Sequence, residues 1–209
     1  MTAELLRLIQ WLSPAFPVGG FAYSHGLESA MVSGAVRDGA GVREWVGDVL
    51  AYGSGRNDAI LLARGLAGGD LEDLSDLARA MAASSERLRE MMDQGAAFAM
   101  ATSALTGMDL PARPLPLAVA QAARGLDLPL ETVLSVYLQS FAGALVMAAV
   151  KFLPLGQTEG QGILQALQPL VLEIAKDAAR PDADFASSAF GADMAAMEHE
   201  ILEVRIFRT

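Results

Sequence analysis

The run VLSVYLQSFAGALVMAAV, Val133 to Val150, carries no formal charge, and what it becomes decides the fold. Leu134, Leu138, Phe141, Leu145, Ala148 and Phe152 step by four and three, the spacing that lines up one helix face. Val133, Val136, Met147 and Val150 make the opposite face apolar as well. Ser135, Tyr137, Gln139 and Ser140 interrupt the run, and Lys151 and Pro154 follow it, which suits a buried helix better than a bilayer span of about 20 residues. A helix that is apolar all round is expected at the centre of a bundle.

The flanking punctuation agrees with this reading. Pro129 and Glu131 open the helix, and Pro154 with Gly156 stops it. Thr158 followed by Gln161 fits a capping box for the next helix, which Pro169 is expected to kink. A polar turn at Pro181 to Asp184 then leads to a last helix through His199 and the terminal RIFRT.

Upstream, Pro114 and Pro116 precede a short helix to Arg124 that Gly125 terminates. A long helix is predicted from Leu71, carrying Leu74, Leu77, Met81, Leu88, Met92, Phe98 and Leu105 inward, with Asp70, Glu72 and Asp73 at its positive end and Gly107 and Pro111 at its close. Trp45, Val46, Val49, Leu50 and Tyr52 line another helix, and Asn57 is read as the cap of one ending at Leu66. No alternating β-branched run occurs, so the expected fold is all-α, a single-domain helical bundle over residues 1–209.

Composition narrows the function classes. With 53% hydrophobic and 19% charged residues, the chain has more apolar side chain than one core needs, and the surplus is expected to face other proteins. A net charge of -10 opposes binding to phosphate backbones, so nucleic acid is not an expected partner. The absence of cysteine excludes disulfides and thiolate metal sites and fits a reducing cytoplasm, leaving His25 and His199 as the imidazoles. Met1 to Trp11 lacks the pattern of a signal peptide, and no membrane association is expected.

The chemistry-bearing motifs are few. AYSHG, around Ser24, approximates the G-x-S-x-G elbow of α/β hydrolases, and Asp193 and His199 follow in triad order. That elbow requires a preceding strand, whereas PAFPVGG precedes this serine, so Ser24 is read instead as capping a helix that begins near His25. HEILE, His199 to Glu203, lacks the second imidazole of H-E-x-x-H, and no metal site or cofactor is expected. No phosphate-binding loop accompanies Gly19-Gly20 or Gly68-Gly69, so the chain is not expected to hydrolyse nucleotides by itself. SSERLREMMDQG, Ser84 to Gly95, reads as an exposed charge cluster of Glu86, Arg87, Arg89 and Glu90.

Two isolated charges stand at the edges of apolar segments. Glu28 is the single charge between Arg7 and Arg37, and Lys151 the single one between Glu131 and Glu159. Each either reaches water at a helix end or sits on a shared partner-facing surface.

SPAFPVGGFAYSHGLE near the start, SSERLREMMDQG, VKFLPLGQTEGQ from Val150, and DMAAMEHEILEVRIFRT at the end together resemble the urease accessory protein UreF family, in the family's order. The tail departs from the family pattern: Leu202, Glu203 and Val204 precede Arg205 where a Tyr-Ser pair is usual, so contacts implied by those two side chains do not carry over.

The resemblance implies a non-enzymatic scaffold or chaperone that homodimerises. It would join the accessory protein UreD (UreH) and the GTPase UreG, dock on apo-urease and promote nickel incorporation. Pro14, Pro17, Gly19, Gly20, Ser24 and Gly26 are expected to shape a bent lead into the first motif helix, with Pro154 and Gly156 shaping the second motif. Phe16 and Phe21 either cover the core or meet a partner, and Tyr23 joins them with Glu28 at the rim. Lys151, His199, Glu200, Arg205 and Phe207 complete the expected partner-binding set, the tail being either an anchor or frayed.

Overall fold

The apolar run is helix α8, Leu130–Phe152, in a computed structural model that describes residues 2–208. Met1 and Thr209, the first and last residues of the expected domain, lie outside the described residues. Ten α-helices and one 3-10 turn make up the described regular structure, which contains no strand: α1 Ala3–Trp11, the 3-10 turn Gly20–Ala22, α2 Leu27–Val32, α3 Gly39–Tyr52, α4 Ser54–Leu66, α5 Leu71–Ala80, α6 Ser85–Thr106, α7 Leu115–Ala123, α8, α9 Gln157–Ala178 and α10 Phe190–His199. The all-α expectation holds.

Helix α8 packs against α9, α3, α4 and α2, and Leu134, Leu138, Ala142, Leu145, Val146 and Ala149 are buried in that contact. Burying a leucine or valine contributes about 1.5–3 kcal/mol, so this face alone is a large part of the driving force for collapse. The surface around Ala144 is not enclosed, although Val133, expected on the opposite face, is buried, and Phe141, expected on the inward face, borders this open side. Phe141, Met147 and Val150 are only partly buried and Ala144 is exposed. The Ser13–Tyr23 segment crosses this side without filling it, leaving a cavity of about 100 Å³ between Trp11, Pro14, Val18, Phe21, Phe141 and Met147. Although Leu130–Phe152 is long and apolar enough to cross a bilayer, half of it is buried in protein.

Four local expectations are corrected. The long helix from Leu71 is two helices, because the Ser84 hydroxyl accepts from Arg87 N at 3.1 Å and starts α6 afresh. In consequence Met91 rather than Met92 faces the core, and Leu77 and Leu105 are exposed. Asn57 lies inside α4, one turn past its start, where its Oδ1 accepts from Ala186 N at 3.2 Å. Thr158 lies inside α9, which begins at Gln157 without a side-chain cap and runs on through Pro169. Trp45 is partly buried and Tyr52 exposed, so the inward stripe of α3 is Val42, Val46, Val49 and Leu50.

Other signals read correctly. The acids expected at the positive end of the helix from Leu71 stand there, Asp70 in addition capping α5 by accepting from Glu72 N at 2.8 Å and Asp73 N at 3.2 Å, and Gly107, at φ 74°, ends α6. Gly95 is required by close packing: a Cβ there would sit 1.8 Å from the Arg113 carbonyl oxygen, so only glycine lets α6 pass beneath the strand-like lead into α7.

The segment between α9 and α10 is strapped to α4 and to the end of α3. Arg64 donates to the Ala183 carbonyl and stacks 4.4 Å over the Phe185 ring, Arg56 donates to the Asp184 carbonyl, and Ser188 N donates to Tyr52 O at 2.8 Å. These bonds deliver α10 to α2 and α6, which it contacts.

Candidate partner-docking site at the clamped tail

Ser13 to Glu28 turns twice. Phe16 folds inward against Phe98, ring centroids 5.7 Å apart, while Gly19 at φ 73° sends the chain into the 3-10 turn and leaves Phe21 outside. Lys151 meets it there, its Nζ 4.7 Å from the ring centroid and donating to the Phe21 carbonyl at 3.4 Å.

His25 and Gly26 then take φ of 57° and 75° in succession. Left-handed backbone is costly for histidine and persists only where surrounding contacts enforce it. Gly26 abuts α10: a Cβ would stand 2.5 Å from Ala196 N. Helix α2 therefore begins at Leu27, two residues later than expected, and the Ser24 hydroxyl accepts from Glu28 N at 3.2 Å. Ser24 is fully buried and no strand precedes it, so the hydrolase elbow is absent.

The turn places Glu28 inside the protein, at 1% exposure, which corrects its expected position at the rim. Its Oε1 accepts from Ile206 N at 2.7 Å, and its Oε2 accepts from Phe207 N at 2.9 Å and pairs with His199 Nε2 at 2.9 Å. His199, at 0% exposure, pairs through Nδ1 with Glu86 Oε2 at 2.6 Å, and the other Glu86 oxygen takes Arg205 Nη1. Arg208 N donates to the Ala22 carbonyl at 2.6 Å, which closes the tail onto the opening motif.

SSERLREMMDQG is thus not a solvated cluster: Glu86 and Glu90 are buried and Arg87 is mostly so. Glu200 reaches over from α10 to accept from Ser85 Oγ at 2.8 Å and Glu86 N at 3.1 Å; these two bonds hold its carboxyl below the ordinary range and cap the start of α6.

A second polar layer lies beside the clamp. His25 Nδ1 stands 3.0 Å from Glu90 Oε1, and Arg87 pairs with Glu90 and lies 3.2 Å from the same His25 nitrogen. Burial, aided by the Arg87 charge, pushes the His25 ring toward its neutral form. Burial alone would raise the Glu90 carboxyl, but Arg87 and His25 beside it hold it down to about 2. Tyr137 donates its hydroxyl to Asp58 at 2.9 Å, and burial pushes the Asp58 carboxyl up to about 6.

Of the eight expected partner contacts, Tyr23, Glu28, His199 and Phe207 are buried within the chain, where they build the tail's seat and present no surface. Phe21, Lys151 and Arg205 are exposed and Glu200 is half-buried. The sequence reading missed an exposed stripe: Phe190, Met194 and Met197 follow one another by four and three along α10, and Ile201, Val204 and Ile206 extend it past the helix end along the tail, Ile201 and Val204 at 82% exposure each. That periodicity was present in the sequence, but apolar spacing alone does not distinguish a core face from an uncovered one.

The site is a set of buried acids and an imidazole that fastens the tail of an all-helical bundle beside an uncovered apolar stripe. The UreF family model matches residues 36–168, more than half of the chain. A urease accessory protein UreF of Cereibacter sphaeroides (strain ATCC 17025 / ATH 2.4.3) is 60% identical over the full length of both chains. Those of Jannaschia sp. (strain CCS1) and Dinoroseobacter shibae (strain DSM 16493 / NCIMB 14021 / DFL 12) are 53% and 48% identical over all of this chain, covering 96% and 100% of theirs. The chain belongs to the urease accessory protein UreF family.

Proposed function

We propose that this protein is a non-enzymatic scaffold for urease maturation, acting in the cytoplasm as a single helical domain and as a homodimer. It joins a UreD/UreH-type accessory protein and the GTPase UreG, and the assembly docks on apo-urease to promote nickel incorporation. The observation that carries this reading is the uncovered stripe of Phe190, Met194, Met197 and Ile201 beside a tail fastened in place by buried charges. Contiguous exposed apolar surface of this kind marks protein contact sites, and a pre-ordered terminus lowers the entropic cost of docking. Phe21 with Lys151, at the mouth of the Trp11–Met147 cavity, supplies a second exposed contact on the opening motif.

The chemistry available supports a scaffold over an enzyme or a metal store. Both His199 nitrogens face carboxylates of the same chain, and Ser24 Oγ is taken by a backbone amide. The test is co-expression with a UreD-type protein, UreG and apo-urease. The expected result is co-elution of the accessory proteins on gel filtration and nickel-dependent urease activity that requires this chain. Activation of apo-urease without it would overturn the reading.

A further inference from the structure

Both ring nitrogens of His199 lie within hydrogen-bond distance of a carboxylate oxygen, and each carboxylate also accepts from at least one other donor. Glu28 takes the amide hydrogens of Ile206 and Phe207 through its two oxygens, and Glu86 takes the Arg205 guanidinium. With both acids in the ionised form, which accepts and does not donate, closing both bonds to the imidazole calls for hydrogen on both of its nitrogens. The charges then balance: Glu28 and Glu86 against His199 and Arg205, with the first three of these groups in the interior. A bare nitrogen at either position would set lone pair against lone pair at 2.6 or 2.9 Å. His199 also closes the last turn of α10, where the partial negative charge of the helix end favours a cation.

We propose that His199 is an imidazolium whose two N–H groups fix Glu28 and Glu86 in the geometry that seats the C-terminal tail, which makes it the positioning residue for that tail. The three charged groups of its network arrive from other elements, Glu28 from α2, Glu86 from α6 and, through Glu86, Arg205 from the tail, while Glu200, just past the end of α10, bridges to the start of α6. The inference concerns the chain alone and stands or falls separately from its partners.

The test is nitrogen-15 NMR of the full-length protein at neutral pH, with amide hydrogen exchange on the same sample. The expected spectrum has two protonated ring nitrogens for His199, and the Ile206 and Phe207 amides are protected. In Glu86→Gln, the side-chain amide can donate to Nδ1, so the ring is expected to keep hydrogen only on Nε2. In His199→Gln, which can donate to one carboxylate but not both, exchange at Ile206 and Phe207 is expected to quicken by about tenfold or more, the effect of losing one well-made buried hydrogen bond. A single protonated nitrogen in the unsubstituted protein overturns the proposal even if no variant folds. Unchanged protection in a folded His199→Gln overturns the positioning role.

Discussion

Glu28 Oε2 and His199 Nε2 stand 2.9 Å apart in the interior although 171 positions separate them in the chain. This pair joins the opening motif to the last helix, and Glu28 carries the two amide bonds that hold the tail. Removing the carboxylate leaves His199 Nε2 and the amides of Ile206 and Phe207 without their acceptor, while Nδ1 keeps Glu86. Glu28→Ala is expected to destabilise the fold by about 3–5 kcal/mol, the usual effect of breaking a buried ion pair. Urea unfolding followed by circular dichroism measures it, and a loss below about 1 kcal/mol would contradict the clamp.

Gly26 transmits the same coupling through sterics. Gly26→Ala adds a methyl 2.5 Å from Ala196 N at a φ of 75°, so strain and overlap combine. The expected cost is about 2–4 kcal/mol, with α10 and the tail losing amide protection before α8 does.

Asp58 gives stability a pH dependence of definite sign. Burial raises its carboxyl from 3.8 to about 6, so between those values the folded state holds a proton that the unfolded state has released. Its contribution is favourable at low pH and is lost as pH rises through about 6. Asp58→Asn keeps an acceptor for the Tyr137 hydroxyl and removes the titration. Its stability at pH 7.5 is expected to exceed that of the parent by about 1–3 kcal/mol, and the difference is expected to vanish near pH 4.

Glu90 has the opposite slope. Its carboxyl is held at about 2, below the ordinary 4.5, so its stabilisation is complete above 4.5 and lost as pH falls toward 2. Arg87→Met strips its main counter-ion and is expected to cost about 3–5 kcal/mol at neutral pH. Adding Glu90→Gln should recover part of that loss, which thermal unfolding of the single and double variants would measure.

The α10 stripe separates docking from folding. Ile201 is 82% exposed, so Ile201→Asp is expected to leave the melting temperature within about 2 °C while weakening capture of the proposed UreD-type partner by tenfold or more. Equal capture by the variant and the parent in a pull-down would remove the stripe from the interface.

The all-α class, the acids at the start of α5, the stop at Gly107 and the apolar α8 were legible in the sequence, because helix periodicity and end signals are set by residues within about four positions of each other. The family was legible as well, since its motifs are contiguous. What the sequence left undecided was the inside and the outside of charged segments. Glu86 looks like a solvent-facing residue until α10 and the tail arrive from more than a hundred positions away to pair it, and Glu90 until His25 of the opening motif reaches it. Glu28 moved from rim to interior for the same reason, while Leu77, Leu105 and Tyr52, expected inward, are exposed. Burial of a charge depends on partners brought by topology. Local spacing determined the helices, and only their packing decided which acids became a seat for the tail.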